Sequence, residues 1–217
     1  MRLPRLYAIL EAACFSDADA MFYAAEELVA GGVLILQYRN KSGSARRMLE
    51  DARELRRRFD DRVMLVMNDR ADLCVAAEFN GVHLGQDDLS AESAWRVIWA
   101  NAHRWADAHD NERVLGISTH NWEQIALADK TPATYLAIGP VFATASKANP
   151  DPVVGLEGVR RARELTIKPL VAIGGITRGN ARSVIEAGAD SVAVISALIV
   201  EEEPVEKVTR DFLDVLR

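Results

Sequence analysis

The chain has 217 residues, 49% of them hydrophobic and 27% charged, with 13 glycines and 7 prolines. This is ordinary globular usage and excludes a disordered, collagen-like or low-complexity chain; the length fits one large barrel or two small domains. A formal net charge of −6 excludes the broad basic footprint of a nucleic-acid binder, so any anion has to be met by a local cluster of cations.

Along the chain, runs of β-branched and aliphatic residues alternate with stretches of helical period. The strand-like runs begin near Leu6 (LYAIL), Val33 (VLILQY), Val63 (VMLVMN), Gly81 (GVHL), Val114 (VLGIS), Thr134 (TYLAIG), Pro169 (PLVAIG) and Ser191 (SVAVIS). Helices are predicted over 17–30, 44–58, 70–78, 90–108, 121–129, 155–165, 178–187 and 204–216. Apolar runs without strict alternation belong to strands covered on both faces, and strands alternating with helices build a parallel sheet. Such repeated units predict an α/β protein with one domain, a (β/α)8 TIM barrel over 1–217; a doubly wound open sheet is the alternative. The fourth connection, 96–113, is extended by polar residues around Trp99 and Trp105. Ser16, Ser90 and Asn121 stand where helix N-caps are useful.

Several features are read as purely structural. Cys14 and Cys74 lack metal-type spacing and are expected to be reduced, packed thiols. Trp95 and Trp99, four apart, should share a helical face, whereas His103 and His109 fall off the helical ligand spacing and are expected in solvent. His83, at a strand end, fits a structural hydrogen bond. The start carries two arginines and an apolar run that Glu11 interrupts, too short for a signal segment, and no stretch reaches the roughly 18 apolar residues of a membrane span. A cytoplasmic protein is expected.

In a barrel the site is built from the loops leaving the C-terminal ends of the strands. Gly174-Gly175, leading toward a helix predicted to start near Thr177, and Ser196 after the last strand fit a phosphate held by backbone amides, although Gly-Gly is also an ordinary tight turn. Arg39 and Lys41 alternate off one strand end, and Lys147 lies beside Thr144 and Ser146 on the long loop after strand six, which suits a second anion. Asp69 and Asp88 end neighbouring strands and could share a magnesium ion with a diphosphate, or could simply cap the helices that follow them. Two anion pockets suit a reaction that joins a phosphorylated acceptor to a diphosphate-activated donor.

The ordered motifs QYRNK (37–41), ND (68–69), GVHLGQDD (81–88), GISTH (116–120), GPVFATASK (139–147) and AIGGIT (172–177) resemble the thiamine-phosphate synthase family over nearly the whole chain. The resemblance implies a magnesium-dependent transferase joining hydroxymethylpyrimidine diphosphate to thiazole phosphate, with small-molecule substrates and neither nucleic acid nor membrane as partner; association into a homo-oligomer stays open. It implies that Gln37 and Asn68 address the pyrimidine or its diphosphate, that Arg39, Lys41 and Lys147 hold the diphosphate, and that Asp69 and Asp88 bind magnesium. Ser118, Thr144 and Ser146 would add hydroxyl contacts, and Gly175, Ile195 and Ser196 would hold the thiazole phosphate. Catalysis would fall to Arg39, Lys41, Ser118 and Lys147. The sixth loop departs from the family pattern: Ala143 stands where a proline is usual and Ser146 where a second threonine is usual. Two alternatives follow from the same fold, a thiazole tautomerase, for which His120 is the pointer, and a non-catalytic sensor of phosphate ligands.

Overall fold

The computed structural model describes residues 2–100, 113–144 and 151–217. Leu6–Glu11 (β1) is buried along its whole length because it has a neighbour on each side. It pairs in parallel with Ile35–Arg39 (β2) and with Ser191–Val194 (β8). Between them run Met64–Asn68 (β3), Gly81–Leu84 (β4), Val114–Thr119 (β5), Tyr135–Ile138 (β6) and Leu170–Ile173 (β7). Each strand pairs with the next, and the order β1 to β8 closes on itself. The predicted eight-stranded TIM barrel is therefore the observed fold, and the open sheet is excluded by the β1–β8 ladder.

The helices pack outside this barrel: Ala18–Ala30 (α1), Ala45–Phe59 (α2), Ala71–Ala76 (α3), Ala91–Ala100 (α4), Trp122–Ala128 (α5), Gly155–Leu165 (α6), Ala181–Glu186 (α7) and Val205–Val215 (α8). Strand residues of one parity meet the helices in a large outer core that includes Leu36, Leu65, Val82, Leu115, Leu136 and Val192. Residues of the other parity point into the barrel, where Tyr7, Ile9, Ile35, Val66, Val114, Tyr135, Ala137, Val171 and Ala193 form a separate cluster. This alternation delivers Glu11, Gln37, Arg39, Asn68, His83 and Ser118 to the barrel interior or its mouth, each an even number of residues from an interior position on its strand or at a strand end.

Some local expectations need correction. Asp17, not Ser16, caps α1, accepting from the Ala20 amide at 2.9 Å, while the Ser16 hydroxyl donates to the Asp17 carboxylate. A carboxylate at the cap interacts more strongly with the helix start than a hydroxyl. Ser90 and Asn121 accept from the amides of Ser93 and Gln124 as expected of caps. Cys74 is buried, but Cys14 is exposed in a short 3-10 turn, Ala12–Cys14, none of whose residues is fully buried. Trp95 and Trp99 meet edge to face with ring centres 5.5 Å apart. His103, Trp105, His109, Ser146 and Lys147, and with them most of the extended fourth connection, lie outside the described residues.

Candidate active site

The C-terminal strand ends surround one cavity of about 680 Å3. Among its lining residues are Gln37, Arg39 and Lys41 from the β2 end, Asn68 and Asp69 from β3, Asp88 after β4, Ser118 from β5, Thr144 after β6, Gly175 after β7, and Ile195 and Ser196 after β8. Every described candidate is brought to the same rim. Asn68 and Gln37 sit deep, both buried.

The side of β2 to β4 is built from paired charges. Lys41 extends its ammonium to the Asp69 carboxylate at 2.5 Å. Arg39 forms an ion pair with Glu11, its register partner at the end of β1. In the sequence Glu11 shows only as an interruption of an apolar run; its inward parity on β1, two residues after Ile9, is the signal that places it. Asp69 itself adopts a positive φ of 63°, which turns the chain at the β3 end, and its amide donates to the His83 carbonyl at 2.8 Å. Asp88 is fixed by accepting from the Gly85 amide at 2.7 Å. Burial pushes the Asp69 carboxyl up, the Lys41 ammonium pulls it down, and the adjoining Asp88 carboxylate pushes it up again. The two acids are thus neighbours, and neither caps the helix that follows. Among the described lining residues, Arg39 and Lys41 stand against Asp69, Asp87, Asp88 and Asp151. Two cations against four carboxylates leave the described lining of this rim acidic, and adjoining carboxylates are ligands that a hard divalent ion takes.

The side of β7 and β8 is built from backbone. Gly174 and Gly175 carry φ values of 100° and 64°, and a Cβ on Gly175 would come within 2.5 Å of the Ala143 carbonyl. Only glycine fits that turn. α7 begins at Ala181 rather than near the predicted Thr177, because residues 177–180 form a tight turn in which the Thr177 amide donates to Asn180 Oδ1 at 2.8 Å. The Thr177 amide is therefore occupied, and the glycine pair and the start of the 3-10 turn Ser196–Leu198 that follows β8 line the cavity beside it. The first amides of such a turn have no partner within it.

The floor between the two sides is a chain of polar groups. Gln37 Nε2 donates to Tyr7 Oη at 2.9 Å, Tyr7 and Tyr135 share a hydrogen bond at 2.9 Å, and His83 lies 2.9 Å from Tyr135 Oη through Nδ1 and 2.8 Å from Ser118 Oγ through Nε2. His83 thus makes structural hydrogen bonds, as expected, with Tyr135 stacked beside it. Burial holds its imidazole down to about 4, against a smaller upward pull from Asp88, so the ring is neutral near pH 7. His120 donates from Nδ1 to the Gly139 carbonyl at 2.8 Å.

The family described as Thiamine monophosphate synthase matches residues 6–198. The chain belongs to the thiamine monophosphate synthase family. Its sequence is 56% identical to the thiamine-phosphate synthase of Koribacter versatilis (strain Ellin345) over 219 aligned residues, covering 100% of this chain and 97% of that protein. It is 38% identical to the thiamine-phosphate synthase of Chloroflexus aurantiacus, covering 92% of this chain and 87% of that one. Among solved structures, the thiamine phosphate pyrophosphorylase from Pyrococcus furiosus superposes with a TM-score of 0.79 at 32% identity, covering 98% of this chain and 95% of that one. A thiamine-phosphate synthase is a transferase of thiamine biosynthesis, and the family membership expected from the six motifs is correct. Among the described residues, no helix is long and apolar enough to cross a membrane.

Proposed function

We propose that this member of the thiamine monophosphate synthase family joins hydroxymethylpyrimidine diphosphate to thiazole phosphate, releasing diphosphate and thiamine phosphate. What carries this reading is the pair of unlike walls that line one cavity, charged side chains at the β2–β4 ends and glycine-shaped backbone at the β7–β8 ends. The pyrimidine diphosphate belongs at the first and the thiazole phosphate at the second.

In the reaction the bond between the pyrimidine methylene and the diphosphate oxygen breaks, its electrons leave with the diphosphate, and the thiazole nitrogen lone pair forms the new carbon–nitrogen bond. That exchange needs little acid or base. It needs stabilisation of charge growing on the leaving diphosphate and alignment of two rings. Arg39 and Lys41 supply positive charge, each held at the rim by a carboxylate partner that it can exchange for a phosphate oxygen. Gln37 and Asn68, buried at the base, orient the pyrimidine, and Ser118 contributes a hydroxyl between the two rings. Thr144, at the edge of the sixth loop, lines the same space. Asp69 and Asp88 would hold magnesium, and their mutual contact together with the excess of carboxylates on this rim fits such an ion. Bound there, magnesium would stabilise the negative charge of the diphosphate oxygens. Gly175, Ile195 and Ser196 hold the thiazole phosphate. Ser146 and Lys147, on the sixth loop outside the described residues, complete the diphosphate side.

The test is release of diphosphate by the purified full chain. Equal amounts of diphosphate and thiamine phosphate should appear only when both substrates and magnesium are present. Binding of thiazole phosphate without any product, or full turnover in chelator, would overturn the reading.

A further inference from the structure

The polar chain on the barrel floor has a direction. Gln37 Nε2 can only donate, so Tyr7 Oη accepts from it at 2.9 Å, and the single hydroxyl proton of Tyr7 has to go onward to Tyr135 Oη, also 2.9 Å away. Both phenols are fully buried, where a proton without an acceptor is strongly disfavoured because water cannot take its place. Having accepted from Tyr7, Tyr135 donates its own proton to His83 Nδ1 at 2.9 Å. A neutral imidazole that accepts at Nδ1 carries its hydrogen on Nε2, and that nitrogen stands 2.8 Å from Ser118 Oγ. Ser118 Oγ therefore accepts from His83 and keeps its own hydrogen to donate. Gly116 is what allows the chain to pass, since a Cβ there would come within 2.1 Å of the Tyr135 ring and 2.4 Å of His83 Nδ1. Running the chain the other way would make Tyr7 accept from both sides and strand its proton.

We propose that Tyr7, Tyr135 and His83 are positioning residues forming a one-way hydrogen-bond relay, through which Gln37 makes Ser118 present a donor to the cavity. Ser118 then selects a hydrogen-bond acceptor on the substrate, such as a ring nitrogen or a phosphate oxygen, and disfavours a donor at that point. The two ends of the relay are on opposite walls, β2 and β5, so a group bound at Gln37 and a group bound at Ser118 sense each other without touching. This inference rests on the reading that Gln37 and Ser118 meet substrate, but the relay itself is a property of the ligand-free protein and can be read there.

The test is the tautomer of His83, from the nitrogen-15 signals of its ring in the full chain at pH 8. In the wild type the protonated nitrogen should be Nε2 and the bare one Nδ1. Gln37→Glu replaces the donor with a carboxylate that accepts from Tyr7, so the whole chain should turn around and the two His83 signals should exchange, although residue 37 does not touch His83. In the Tyr135→Phe background the Gln37→Glu change should leave the His83 signals where they are. A wild-type His83 protonated at Nδ1 or at both nitrogens, or signals that do not exchange in Gln37→Glu, would overturn the relay; the wild-type measurement needs no variant to fold. Failure of the synthase reading would show separately, as absent diphosphate release from a protein whose His83 signals still behave as described.

Discussion

The two sides of the cavity are built by different means. At the β2–β4 ends the groups are long side chains locked in ion pairs, Arg39 with Glu11 and Lys41 with Asp69. At the β7–β8 ends they are backbone groups shaped by Gly174 and Gly175 and the Ser196–Leu198 turn. The first arrangement could respond to the diphosphate of the proposed substrate, because each cation can trade a protein carboxylate for a phosphate oxygen. The second is set by backbone geometry, and on the proposed function it would hold a group that keeps its charge throughout. On the proposed function, a leaving group would meet a responsive wall and a spectator phosphate a rigid one.

The sharpest way to break this contrast is Asp69→Asn. Asparagine tolerates the positive φ of this position, so the turn survives while the charge is lost. Turnover at saturating substrates should fall by about 100-fold or more, the scale for losing a preorganised electrostatic group, and the magnesium concentration for half-maximal rate should rise. Diphosphate release titrated with magnesium measures both; an unchanged rate would remove Asp69 from the metal. Gly175→Ala tests the rigid wall. Left-handed backbone costs an L residue about 1–2 kcal/mol, and here the new Cβ also meets the Ala143 carbonyl, so KM for thiazole phosphate should rise about tenfold while KM for the pyrimidine diphosphate stays put. Equal effects on both KM values would mean that the turn shapes the whole mouth instead of one site. Glu11→Gln is the mildest. It removes one negative charge from behind Arg39, and a charge pair at an effective dielectric near 20 is worth only a few kcal/mol before screening, so KM for the pyrimidine diphosphate should drop about threefold, and less in high salt. Initial rates in low and high salt separate that effect from a general loss of packing.

The responsive wall was the more legible in the sequence. Arg39, Lys41, Asp69 and Asp88 follow strand-like runs directly, and charged residues at a strand end announce themselves. What the sequence did not disclose was how they pair, because Glu11 belongs to a strand distant in the chain and becomes the neighbour of Arg39 only when β1 and β2 align. The rigid wall was legible as a glycine pair, but the start of the following helix was misplaced: Asn180 captures the Thr177 amide and delays the helix to Ala181. The barrel itself followed from eight repeats of strand and helix. The floor of the cavity did not, since Tyr7 and Tyr135 sit in apolar runs whose two parities read alike until closure of the sheet puts one of them inside.

That division into an inner and an outer set of apolar residues has a practical outcome. Among the described residues the outer set reaches the cavity lining only in part, at Ile176 and Val194, while the inner set is small and carries the phenols of the floor. Substitutions in sites that share no neighbours combine nearly additively. Thermostabilising changes could therefore be collected between the helices and the sheet, and the pocket reshaped from within for altered heterocycles, as two projects carried out on the same scaffold with little mutual interference.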